Sequence, residues 1–202
     1  MPCVTTLNPA ALGLDLVLGP EDPTTTRTLL EAARRGDGHA YSQLVRPHLG
    51  LLYGIAHRAC GDAALAEDAV QEALEIAYRR LGSLREDSSL RSFLAGIATR
   101  RASTLLRSER RRRVWEGKGE AAEQAPRGDE LLEAERLAAR IRSALAGLPA
   151  KRQAVVLLRL EGGLTDEEIA QAVGSTAGSV RVLVHLGLRQ LREALDPEEG
   201  GR

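Results

Sequence analysis

The stretch that most constrains this chain is residues 163–195, GLTDEEIAQAVGSTAGSVRVLVHLGLRQLREAL. Thr165 followed three residues later by Glu168 spells a capping box, in which each side chain satisfies an otherwise orphaned amide, so a helix is predicted to start there. Ile169, Ala170 and Val173 share one face, and Gly174 can take the left-handed conformation that ends a helix without steric cost. Ser175 or Thr176 can cap a second helix whose inner stripe, Val180, Val184, Gly187, Leu188, Leu191 and Leu195, steps by three and four. Small Ala170, the turn at Gly174 and Val180 in the angle between the helices follow the residue logic of a helix-turn-helix. In that motif the second helix enters the major groove of DNA. A packed helical hairpin with no ligand is the plainer alternative.

The rest of the chain is predicted to be all-α as well. Leu, Ala and Arg dominate, no run alternates as a strand would, and the aromatics are only Tyr41, Tyr53, Tyr78, Phe93 and Trp115. Its 202 residues suit two small domains. Formal net charge is zero, which by itself argues against nucleic acid, but the charge is segregated. Residues 79–113 hold eleven arginines against three acidic residues, and both flanks carry excess acid. A basic block between acidic ones suits phosphate contact in one region and a basic protein partner in another. Cys3 and Cys60 are too few for a disulfide framework, so the chain reads as cytoplasmic. No apolar stretch approaches the roughly 20 residues of a membrane span.

Taken in order, residues 1–25 have no sustained periodicity and are expected to be a disordered tail, and residues 197–202 a second short one. Residues 26–113 form the first expected domain. Residues 26–35 can make a short helix, and Tyr41, Leu44, Val45, His48, Leu52, Ile55, Ala56 and Ala59 follow the three-and-four rule, with Pro47 interrupting that helix or starting a new one. His48 and His57 have no carboxylate or cysteine at ligand spacing, so they read as structural. Asp62 can cap the next helix, which buries Leu65, Ala69, Val70, Ala73, Ile76 and Ala77. Its other side aligns Asp68, Gln71, Glu72, Glu75 and Arg79 in a mostly acidic ridge about 16 Å long. That ridge is either a solvated face or a dock for a basic partner helix.

Residues 81–87 form a loop, and Ser88 or Ser89 caps a helix with the core stripe Leu90, Phe93, Leu94, Ile97, Ala98, Arg101 and Leu105. Opposite it, Gly96, Arg100, Ser103, Arg107, Arg110 and Arg111 make a small-and-basic ridge. Arginines along one helix face suit phosphate oxygens, since each neutralised phosphate releases counterions. Residues 114–130, rich in glycine and without apolar periodicity, are expected to be a flexible linker. Residues 131–196 then form the second domain, in which two further helices cradle the helix-turn-helix.

The order of these parts resembles a bacterial RNA polymerase sigma factor of the sigma-70 family, extracytoplasmic-function type, over about residues 28–195. Residues 66–72, AEDAVQE, look like the family's core-polymerase-binding segment, and residues 92–98, SFLAGIA, resemble the helix after its −10 recognition loop. Leu148-Pro149 through Val155, then Glu168-Ile169-Ala170, Gly174 and Gly178-Ser179-Val180-Arg181, look like its −35-reading domain. The resemblance implies core RNA polymerase as a partner through Asp68, Gln71, Glu72 and Glu75. It implies promoter DNA at Ser83, Arg85, Arg91, Phe93, Arg100, Arg107, Arg110 and Arg111 for the −10 region, and at Thr176, Ser179, Arg181, Val182, His185 and Arg189 for the −35 element. An anti-sigma factor is a further implied partner. No catalytic residue, metal or cofactor is expected. The chain departs from the family pattern at Phe93, where tryptophan is usual, and in the apolar Val182, Leu183 and Leu186 of its last helix. A regulator derived from such a factor, binding DNA or protein without starting transcription, is the alternative, with Val182 and Leu186 as its partner surface.

Overall fold

The computed structural model describes residues 23–84, 89–115 and 129–195. Among these residues there are nine α-helices, two 3-10 turns and no strand. The expected tails, apart from residues 23–25, and most of the expected linker lie outside the described residues.

Local chemistry sets most helix ends. Helix α1 (Pro23–Arg34) begins earlier than the periodicity suggested, because proline's fixed φ suits the first helical position and its missing N–H costs nothing there. Asp37 starts α2 (Gly38–Val45) by accepting the amides of His39 and Ala40 at 2.9 and 3.0 Å. The Ala40 amide does most to hold the Asp37 carboxyl below the usual carboxylate range. Pro47 sits in a 3-10 turn, Arg46–His48, between α2 and α3 (Leu49–Cys60). Gly61, at φ 71°, closes α3. Asp62 then accepts the Leu65 amide at 2.8 Å to open α4 (Ala63–Arg79). A second 3-10 turn, Leu81–Ser83, follows. Helix α5 (Leu90–Trp115) is started by the Ser89 hydroxyl, 3.3 Å from the Ser92 amide. The chain resumes with α6 (Asp129–Gly147), α7 (Ala150–Leu160), α8 (Asp166–Val173) and α9 (Ala177–Leu195).

In the N-terminal body α3, α4 and α5 pack pairwise around Leu52, Ala56, Ala69, Ala73, Leu94 and Ala98. Alanine at so many contacts lets the axes come close. Helices α1 and α2 close over Leu81 through Ala33, Ala40 and Leu44. The C-terminal body packs α7, α8 and α9 around Val155, Leu158, Leu164, Ile169 and Val180, with α6 laid across α9.

The sequence predicts two domains and leaves their packing open; in the structure their apolar clusters interleave. Ile55 of α3 and Ala95 of α5 belong to the C-terminal cluster, while Leu145, Leu148, Val156, Leu157 and Leu191 join the N-terminal one. The two bodies therefore meet along α3 and α5. Periodicity within one helix identifies its strongest apolar stripe and is silent about a second, weaker contact face built from Ala and Gly.

Burial pushes the Cys60 thiol up to about 11, with the nearby Asp62 charge adding to the shift. In a Cys3→Ser background, Cys60 should therefore react with a thiol probe at pH 8 much more slowly in the folded chain than after denaturation, since the thiolate is the nucleophile. Equal rates would overturn this. Two glycines of α9 should behave oppositely. A Cβ on Gly187 would stand 2.4 Å from Val156 Cγ2, whereas one on Gly178 meets nothing within 4 Å. Gly187→Ala should cost about 1–3 kcal/mol in denaturant unfolding by overpacking, and Gly178→Ala should be neutral or stabilising because alanine is the better helix former.

Candidate nucleic-acid and partner interface

The last two helices hold the geometry expected of them. Glu168 accepts the Thr165 amide at 2.9 Å, and the Thr165 hydroxyl accepts the Glu168 amide at 3.2 Å. Gly174 lies at φ 64°, ψ 56° and turns the chain into α9. The Thr176 hydroxyl accepts the Ser179 amide at 3.2 Å and donates to the Ser179 hydroxyl at 3.0 Å. Thr176 is thus the cap of α9, and Ser179 is its neighbour in that turn; both remain exposed.

Val180, Gly187 and Leu191 anchor α9 inward. Arg181, Val182, His185 and Arg189 face solvent on the other side, with Val182 58% exposed. Two arginines of this outer face, Arg181 and Arg189, are engaged. Arg181 Nε lies 3.2 Å from Asp166, a carboxylate that also binds Arg159, and Arg189 lies 3.6 Å from Glu193. Such exposed pairs are worth tenths of a kcal/mol and yield readily to a stronger ligand.

On α4 the acidic ridge is displayed. Asp68, Gln71 and Glu75 are exposed. Glu75 and Arg79 sit 4.0 Å apart, both more than half exposed. Glu72 departs from the ridge, since its carboxylate turns toward α5 and accepts from Arg101 Nε in a half-buried pair. Arg101 was expected in the core stripe, and it is this partner that makes the position tolerable.

The basic ridge of α5 is only partly open. Gly96 and Ser103 are buried against the C-terminal body. Arg100 donates to the Ala172 carbonyl at 2.6 Å and Arg91 to the Gly162 carbonyl at 2.6 Å. The Arg100 side chain is itself exposed, and partial burial of its guanidinium, with the neighbouring Arg80 charge adding to it, lowers its pKa. Arg107, Arg110 and Arg111 are exposed further along the helix. Arg107, Arg110, Ser103 and Gln153 border a cavity of about 200 Å³ where α5 meets α7. Phe93, expected on the DNA side, is half-buried and packs against the N-terminal core. Ser83 is exposed, its hydroxyl donating to the Arg80 carbonyl at 2.7 Å. Arg85 lies outside the described residues.

Two positions carry structure that spacing did not suggest. Arg34 of α1 donates to the carbonyls of Leu81 and Leu84 and so fixes the start of the loop after α4. Arg58 of α3 pairs with Glu161 at 2.6 Å, across the two bodies. Neither could be found from sequence, because their partners lie 47 or more residues away. Among the described residues no group of His, Cys, Asp or Glu could hold a metal, and no helix is long and apolar enough to cross a membrane.

An acidic helix face, an arginine-rich helix and a helix-turn-helix in one all-α chain define a DNA-directed protein that also docks on another protein. Residues 44–112 match the family sigma-70 region 2, and residues 138–191 match sigma-70, region 4. The ECF RNA polymerase sigma factor SigE of Mycolicibacterium smegmatis is 30% identical over 185 residues, covering 90% of this chain and 71% of that one. The RNA polymerase sigma-H factor of Pseudomonas aeruginosa is 30% identical over 185 residues, covering 84% and 93%. Among solved structures, CnrH in complex with the cytosolic domain of CnrY has the same fold, with TM-score 0.64, 22% identity and coverage of 86% of this chain and 99% of that one. The sigma factor RpoE in complex with the anti-sigma factor NepR from Bartonella quintana gives TM-score 0.54 at 22% identity, covering 78% and 98%. The chain belongs to the extracytoplasmic-function sigma factors of the sigma-70 family, the factors that direct RNA polymerase to promoters.

The cap geometry gives a direct check on how Thr176 and Ser179 divide their roles. Thr176→Ala should lower stability by about 0.5–2 kcal/mol, as loss of an N-cap does. Ser179→Ala should leave the unfolding midpoint nearly unchanged, because its amide still has the Thr176 hydroxyl.

Proposed function

We propose that this chain binds core RNA polymerase through the exposed ridge Asp68, Gln71 and Glu75 on α4, with Glu72 completing it once Arg101 is exchanged for a partner cation. The exposed arginines of α5, with Ser83 and Arg85, carry the −10 region, and the outer face of α9 reads the −35 element. The observation that carries this reading is the simultaneous display, on one chain, of the α4 acidic ridge and the outer face of α9. An acidic ridge steers a basic partner helix and sets orientation more than it adds raw affinity. On α9, Val182 suits contact with thymine methyls, and His185 and Arg189 suit base edges or phosphates. The chain performs no chemistry of its own in this scheme; the polymerase is the catalyst. It works in the cytoplasm, where polymerase and promoter are, and an anti-sigma factor is a fitting regulator.

A second reading rests on Val182, with the half-buried Leu183 and Leu186 beside it. As a protein-binding patch these would make the chain a regulator that does not start transcription. Run-off transcription with core polymerase on a promoter library separates the two, since only a sigma factor yields defined start sites.

Reversing Asp68 and Glu75 together to lysine should weaken binding to core enzyme at least about tenfold, because like charges set face to face cost several kcal/mol. Unchanged affinity would overturn the docking role of α4. Replacing Arg189 by alanine should weaken promoter binding by the holoenzyme across sequences and reduce the salt slope by about one, if that side chain meets a phosphate.

A further inference from the structure

The cavity of about 200 Å³ where α5 meets α7 takes Arg107 and Arg110 from one helix and Ala150 and Gln153 from the other, with Leu106 and Leu148 as its apolar wall. Among the described residues no carboxylate borders it. Ser103 and Gln153 are 4% and 5% exposed, and the Ser103 hydroxyl donates to Gln153 Oε1 at 3.5 Å. That contact takes up the amide's acceptor. Its nitrogen, which carries two N–H donors, has no acceptor among the described residues and opens on the cavity. A donor this far from solvent costs free energy until something accepts from it.

The charges at the mouth are equally uncommitted. Arg107 Nε donates to the Ser103 carbonyl at 3.1 Å, which holds the side chain against the cavity and leaves its terminal nitrogens without a partner among the described residues. Arg110, one turn further along the same face, has no ion pair or hydrogen bond among them. By contrast Arg112 pairs with Glu109 at 2.9 Å and lies off the cavity. Helix α7 opens beside these groups. Pro149 gives its first turn no side-chain hydrogen bond, so orphan amides and the positive end of the helix dipole stand next to Ala150 at the cavity wall.

We propose that this cavity binds a small phosphorylated molecule, a phosphomonoester with a compact organic body. Two guanidiniums, a buried amide and a helix start supply more donors than the two oxygens of a carboxylate can use, whereas a phosphomonoester brings three strong acceptor oxygens and close to two charges. Arginine forks and helix N-termini both suit that group. The volume adds a second requirement. A cavity of about 150 Å³ admits benzene, so this one has room beyond the phosphate for a body of that size against Leu106 and Leu148. The inference goes beyond the promoter reading: the same arginines here hold a free phosphate in place of a backbone one, and the bound molecule joins α5 to α7.

Phenyl phosphate is the probe, titrated into the full chain by calorimetry at constant ionic strength, since exposed arginines gather any anion at low salt. Inorganic phosphate and phenol are run beside it. The site predicts saturable one-to-one binding of phenyl phosphate, weaker binding of inorganic phosphate and none of phenol at the same concentration. Arg110→Ala and Gln153→Leu should each weaken phenyl phosphate at least about tenfold, as loss of a hydrogen bond to a charged group does. Arg112→Ala removes the same charge away from the cavity and should leave the affinity unchanged. Gln153 is buried, so circular dichroism checks the fold of its variant; Arg110 is exposed and carries the test if that variant does not fold. Equal affinity in parent and Arg110→Ala, an equal loss in Arg112→Ala, or no saturable binding of either phosphate overturns the proposal. Inorganic phosphate bound as tightly as phenyl phosphate removes the organic body and overturns the ligand class. A short duplex distinguishes the source of the phosphate: duplex affinity lost in Arg110→Ala, with neither small phosphate bound, gives the cavity to the DNA backbone, and the proposal falls. Run-off transcription with core polymerase reports separately on the sigma-factor reading, and defined start sites without anion binding discard the cavity site alone.

Discussion

The structure depends on α5 being buried from two sides at once. One face of its first half supplies Leu94, Ile97 and Ala98 to the α3–α4 core, and the other supplies Ala95, Gly96 and Ser103 to the C-terminal body. A helix in that position cannot carry large residues all round, because both neighbours must approach within ordinary interhelical distance. Its middle therefore reads Leu-Ala-Gly-Ile-Ala-Thr, and Thr99, which is buried, satisfies its hydroxyl inside the helix by donating to the Ala95 carbonyl at 2.8 Å. Past Ser103 the helix leaves the double contact and its composition turns to arginine. The change from small and apolar to basic along one helix marks where packing ends and a solvent-facing surface begins.

How much of this could be read in the sequence depends on how far each interaction reaches. Caps are local, so Asp62, the Thr165–Glu168 box, Gly174 and the inner stripe of α9 stand where spacing put them. The acidic ridge could also be drawn from spacing, since three of its four expected docking residues are exposed. Glu72 was not separable from its neighbours, because its partner Arg101 is 29 residues away. The larger miss was the ridge on α5. Glycine and serine opposite an apolar stripe fit a solvent face and a tight helix contact equally well, and periodicity gives both the same signature. Only the partner, α8, decides between them, and α8 lies more than 60 residues downstream of Gly96. Phe93 is ambiguous for a related reason: a lone aromatic on a basic helix can stack on a base or fill a gap, and here it is half-buried against the core.

The four charged surfaces also differ in how firmly their charges are held. Arg107, Arg110 and Arg111 on α5 are exposed, and Arg107 and Arg111 make local contacts to the Ser103 carbonyl and the Ser108 hydroxyl. On α4, Asp68 and Gln71 stand open. On α9 Arg181 and Arg189 sit in ion pairs with Asp166 and Glu193. At the interdomain seam Arg58, Arg91 and Arg100 are tied to acceptors at 2.6 Å. Zero net charge is thus compatible with nucleic-acid work, because the acid that balances the arginines stands either on the separate exposed face of α4 or as a displaceable counter-charge.

That distribution assigns affinity and selectivity to different helices. A phosphate contact gains mainly from counterion release and is indifferent to sequence, so a helix rich in exposed arginine contributes binding without choice. Helix α5 has that character. Helix α9 has few arginines, and two of them, Arg181 and Arg189, must leave a carboxylate to meet DNA, so their contribution to affinity is reduced by what they give up. What α9 offers instead, in the proposed function, is the exposed apolar surface of Val182 beside the polar edge of His185, groups of the kind that tell one base pair from another in the major groove. A helix that adds little affinity of its own discriminates only when something else holds it near the duplex. In the proposed function that anchor is the N-terminal body with the partner docked on α4, so the helix-turn-helix alone would be a poor DNA-binding protein.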